Sequence, residues 1–94
     1  MSRGDVVSGL QTISADSYLT IQPPSGEEWM ITNIFCSKSA EIYITDGSKD
    51  VKYYQISLGE PWSGKLFITN SIYVKVKNIS GSNEEIGYSG VKSK

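Results

Sequence analysis

Histidine is absent from this 94-residue sequence. That removes the commonest general base and the commonest metal-ligating side chain. Ser-His-Asp and Cys-His catalysis, and every zinc site that needs imidazole, are excluded with it. The single cysteine, Cys36, excludes an intramolecular disulfide, so stability does not rest on an oxidising compartment. No apolar run approaches the ~20 residues of a membrane-spanning helix. The start of the chain has no signal-peptide pattern, and synthesis in the cytoplasm is expected. Charge of one sign is also lacking: nine Lys and Arg face ten Asp and Glu, a net −1. Neither nucleic acid nor an anionic membrane is drawn in by bulk electrostatics, and neither is an expected partner. No window repeats apolar residues at helical spacing for three turns, so almost no helix is expected.

What is present points to thin β structure. The apolar fraction of 38% is low, while six Tyr add amphipathic contact area. A chain this short buries somewhat over ~60% of its unfolded surface. Such a composition suits a two-layer β domain, or a subunit that completes its core against neighbours. Residues 1–10 read as a flexible arm holding at most a short strand, and 11–94 as one domain. The longest apolar-rich run, from Pro23 to Cys36, opens with a Pro-Gly turn and reads as the central strand. Period-2 reading puts Trp29, Ile31 and Phe35 on one side and Met30, Ile34 and Cys36 on the other. Burial of both faces follows. Residues 17–22 alternate, and the turn at 23–26 is expected to make them a hairpin with the central strand. Further strands are read at 40–45, 51–58, 65–69, 72–78 and 85–91, with Ile42, Ile44, Ile72, Val74 and Val76 inward. Seven or eight short strands with turn signals every 8–12 residues give an all-β, two-sheet sandwich, jelly-roll-like. The expected core is Trp29, Ile31, Ile34, Phe35, Ile44, Val74 and Val76. Met30-Ile31-Thr32-Asn33 echoes Phe67-Ile68-Thr69-Asn70, as two strands in matching environments would.

Candidate chemistry is sparse. Cys36 alternates with core residues and reads as a small hydrophobe rather than a reactive thiol. The carboxylates at Glu27-Glu28, Glu84-Glu85, Asp46 and Asp50 read as solvated loop charges, not a glycosidase pair. The 46–50 turn lacks the ligand count of a calcium loop. Arg3-Gly4-Asp5 and the sequon Asn78-Ile79-Ser80 are short enough to be chance matches. Trp62, in a Pro-containing loop, is expected to be exposed. Tyr43, Tyr73 and Tyr18 face outward on their strands, with Lys75 and Lys77 on what reads as an edge strand. Arg3, Tyr43, Trp62 and Tyr73 are the interface or ligand candidates. No catalytic residue, metal or cofactor is assigned.

Two stretches carry a resemblance. Pro24-Ser25-Gly26-Glu27-Glu28-Trp29-Met30-Ile31-Thr32-Asn33-Ile34 is similar to a Pro-x-Gly-x-x-Trp-x-Ile-Thr-x-Ile pattern of small β-sandwich virion proteins of tailed bacterial and archaeal viruses. Residues 68–78, leading to Ile86-Gly87-Tyr88-Ser89-Gly90-Val91, resemble the closing strands of such domains. The resemblance covers about half the chain. It implies a virion location and a non-enzymatic capsid decoration or cement subunit, bound to the major capsid protein or other virion proteins and self-associating as a homotrimer. A tail, fibre or spike component is the alternative within that class. A carbohydrate-binding module using Trp62 and exposed Tyr is the alternative outside it, and it keeps a glycan ligand open.

Overall fold

A computed structural model describes residues 4–57 and 59–94 of the chain. Its strands are β1 (Val6–Ile13), β2 (Tyr18–Ile21), β3 (Glu28–Cys36), β4 (Ala40–Thr45), β5 (Asp50–Ile56), β6 (Trp62–Thr69), β7 (Tyr73–Asn78) and β8 (Glu84–Lys92), with no helix among the described residues. They form two antiparallel four-stranded sheets, β1-β8-β3-β6 (sheet I) and β2-β7-β4-β5 (sheet II). Only β4 and β5 are both consecutive and paired. The other links cross between sheets, which gives the eight-strand jelly-roll order. Arg3 and Leu58 lie outside the described residues.

The core is aliphatic. Ile31, Ile34 and Ile86 of sheet I meet Ile21, Ile42 and Val76 of sheet II, all fully buried. Each such side chain contributes about 1.5–3 kcal/mol over an exposed one. Trp29 and Val74 are buried as expected, and Ile44 is partly buried against the cluster. Phe35 is not in the core. The β3 register shifts between Ile31 and Asn33 against both neighbours. This bulge reverses the alternation. Trp29 and Ile31 point inward before it, Ile34 and Cys36 after it, and Phe35 turns outward with Met30. β3 is therefore central, yet buried on one face only.

Four further expectations are corrected. Residues 18–21 and β3 do not form a hairpin, because β2 pairs with β7. Gly26, with φ of 88°, supports a turn that carries the chain between sheets. Residues 6–10, assigned to the arm, are part of β1 and pair with β8 from Val91 to Gly87. β7 is an inner strand, so Lys75 and Lys77 do not guard an edge. Ile72 precedes β7 and is exposed.

Two buried polar side chains brace the ends. Asn78 donates from Nδ2 to the carbonyls of Ile13 and Ser82, at 2.8 and 2.7 Å. Its Oδ1 accepts from the N–H and hydroxyl of Ser80. Every hydrogen-bonding position of the amide is used inside the fold, so the sequon asparagine is a structural clamp. Glu84, 1% exposed, accepts the Lys38 N–H at Oε1, while Oε2 has no partner.

Candidate functional site

The outward side chains of the two sheets differ in kind. On sheet II they form a lattice of charge and phenol. Lys75 pairs with Asp50 at 2.8 Å and lies 4.6 Å from the Tyr18 ring centroid. Lys52 pairs with Glu41 at 3.1 Å, and the Tyr43 hydroxyl donates to the same carboxylate. That hydrogen bond pushes the Tyr43 phenol up to about 12, and the Tyr43 and Lys52 contacts hold Glu41 below its ordinary range. Lys75 holds Asp50 low in the same way. These groups satisfy one another within β4 and across the sheet, and remain hydrated.

Sheet I presents apolar and small side chains. The strand registers align Val6, Val91, Met30 and Phe67 in one row across all four strands. A second row runs Leu10–Gly87–Phe35. Between them lie Ser8, Ser89, Asn33 and Ser63. Val6 is 73% exposed, Leu10 64% and Phe67 58%. Gly87 is required where it stands. A β-carbon there would meet the Phe35 ring and the Gly9 carbonyl, so the ring packs against the glycine. The result is two apolar ridges flanking a shallow polar hollow, with no charged side chain in any of the three rows. Exposed charges share the face: Lys65 lies between Phe67 and Ser63 on the edge strand β6, and Glu85 stands opposite Thr12 at the start of β8. Scattered exposed apolar residues are ordinary on proteins, whereas a contiguous face of them marks a contact surface.

The residues singled out from sequence do not converge on one site. Tyr43 and Tyr73 are half-buried on sheet II. Tyr43 meets Tyr18 edge-on, centroids 6.3 Å apart and planes at 65°, so these two rings do not make a coplanar sugar platform. Trp62 is only 8% exposed. It opens β6 rather than sitting in a loop, and it packs edge-on against Tyr53 at 6.0 Å. Apolar packing of the indole outweighs the flanking turn residues, and the glycan reading loses its main member. Cys36 is buried, its thiol pushed up to about 11 by burial and then by Glu84, which suits a core hydrophobe. Asp46 accepts the N–H groups of Ser48 and Lys49, so its carboxylate shapes its own turn. Among the described residues no three metal-ligating groups come together. A shallow cleft of about 280 Å³ near Gly26 and Asn70 is polar and open.

The amino-acid sequence does carry one sign of the sheet I face. Val6-Val7, Met30-Ile31 and Phe67-Ile68 are adjacent apolar pairs, and in a two-layer sandwich one member of each must face outward. No family model matches the chain, and no curated protein matches it.

Proposed function

We propose that this chain is a non-enzymatic structural subunit of a virion, a capsid decoration or cement protein that acts by association with other virion proteins. The observation that carries this reading is the apolar outer face of sheet I, uncharged through its three rows and set opposite a self-neutralised charged face on sheet II. A subunit placed in a shell needs one face for protein and one for water. The jelly-roll order adds weight by analogy of fold only, since folds of this kind host many functions. The carboxylates that might do acid–base work are engaged elsewhere: Glu41 and Asp50 with lysines, Glu84 with the Lys38 amide. The test is made on particles of the source virus. The chain is expected to co-purify with them at fixed stoichiometry through a density gradient. Adding it back to stripped particles is expected to raise the temperature at which the shell releases its genome. Absence from particles overturns the reading.

A further inference from the structure

We infer that the Glu84 carboxyl works the 37–39 turn as a proton-controlled latch: protonated, it keeps the turn closed over the Cys36 thiol, and ionised, it drives the turn open. The device lies at one end of the sandwich, apart from the outer face of sheet I, and needs no partner protein to act. Three observations carry it. First, the carboxyl is trapped. Glu84 is 1% exposed, its Oε1 accepts the Lys38 N–H at 2.9 Å, and its Oε2 has no partner among the described residues. A protonated carboxyl leaves a neutral hydroxyl at that place. An ionised one leaves charge that neither solvent nor a donor reaches, which costs far more. The groups acting on the carboxyl do not offset this burial. Lys38 is the cation among them, and its ammonium donates to Ser82 Oγ at 2.6 Å and to the Asn83 carbonyl at 3.4 Å. Cys36 on β3 brings a thiol, Glu85 on β8 adds like charge, and β1 places the apolar Ile13 opposite. Second, the cover is thin. Residues 37–39 belong to no strand, and Ser37 and Lys38 are exposed. Moving them hydrates Oε2 without parting either sheet, and such a local opening costs less than unfolding. Third, the turn moves as a unit. The Lys38 carbonyl accepts from the Gly59 N–H and, at 3.5 Å, from the Cys36 thiol, while Ser37 exchanges two hydrogen bonds with Glu85. Displacing the turn frees these together and uncovers Cys36, which is 7% exposed when closed.

The experiment is alkylation of Cys36 by iodoacetamide in the full chain, across pH ~4–9, the span in which carboxyls and thiols ionise. Each rate is divided by that of the urea-unfolded chain at the same pH, which removes the thiol's own titration. The protection of Cys36 is expected to fall by up to ~10-fold per pH unit above the Glu84 midpoint, the slope of a single proton. In Glu84→Gln protection is expected to stay high and flat. Glu85→Gln, which changes the exposed neighbour, is expected to follow wild type. Low urea separates the latch from unfolding, because a local opening exposes little surface and is nearly independent of urea. Amide exchange reads the same event without any substitution. Lys38 and Cys36 are expected to share one opening constant, at least ~10-fold larger than that of the buried Val76. Flat wild-type protection overturns the inference. So does a Glu84→Gln profile that matches wild type, or one opening constant shared by Lys38, Cys36 and Val76.

Discussion

The two outer faces of this sandwich are built on sheets of the same strand number, yet they answer opposite demands. On sheet II long polar side chains pair with one another along and across the strands. Lys75 lies between Asp50 and Tyr18, and Glu41 accepts from Tyr43 and Lys52. Such a face gains little from a protein partner, because covering it would strip water from paired charges. On sheet I the outward positions hold Val6, Leu10, Met30, Phe35 and Phe67 around small residues. Water gains nothing there, and a matching apolar surface gains the area it covers. The sandwich is thus polarised through its thickness.

The sharpest way to break this comparison is to exchange the chemistry of the faces. Ser89→Arg on sheet I is expected to abolish binding to stripped particles, whereas Thr20→Arg on sheet II leaves it unchanged. Association also couples to stability. The wild-type melting temperature should rise when particles are present, and Ser89→Arg should remove that rise. Calorimetry with and without particles reads both. Equal behaviour of the two variants removes the distinction between the faces.

The next effect is on the relief itself. In Gly87→Ala the new methyl runs into the Phe35 ring and the Gly9 carbonyl. Either β8 shifts or Phe35 leaves its place, at a cost of about 1–3 kcal/mol in chemical denaturation. A variant as stable as wild type would mean that Phe35 does not lie on Gly87.

Much of the architecture was legible in the sequence because alternation is strong where one face is buried. Ile42, Val74 and Val76 sit where period-2 reading puts them. The candidate face was not legible, for two physical reasons. A bulge near Thr32 changes which β3 residues face inward, so Phe35 reads as core and emerges on the surface. Strand order decides which residues share a row, and Phe67 comes beside Met30 only because β6 pairs with β3. The echo between Met30-Ile31 and Phe67-Ile68 has the same origin, since Met30 stands opposite Phe67 on two neighbouring strands. Trp62 misled through its setting: Pro and Gly around it suggest a loop, but the indole is large enough to draw the start of β6 into the core.

Glu84 belongs to neither face and sets the interior against both. Burial raises its pKa, and Lys38 and Cys36 only partly offset this. A carboxyl whose folded pKa lies above the ordinary 4.5 contributes its full stability below that value. The contribution is lost as pH rises through the folded pKa. Ionising this buried carboxyl, whose Oε2 is unpartnered, therefore costs stability. Glu84→Gln is expected to stabilise the fold by about 1–3 kcal/mol at a pH where the carboxyl is ionised. The gain disappears below about pH 4.5, the ordinary carboxyl value. A destabilised Gln variant at pH 7 would show that the charge itself is needed.

Sheet II titrates with the opposite sign, and its effects are the smallest. Asp50, held low by Lys75, and Glu41, held low by Tyr43 and Lys52, have folded pKa values below their ordinary 3.8 and 4.5. Their contributions are fully present above those values and are lost as pH falls through the folded ones. Asp50→Asn and Glu41→Gln should each make the acid limb of the stability curve shallower. Glu84→Gln should make the same limb steeper, because it removes a group that gains stability on protonation. These pairs are exposed, so 1 M salt should erase most of the sheet II effect while leaving that of Glu84 largely intact.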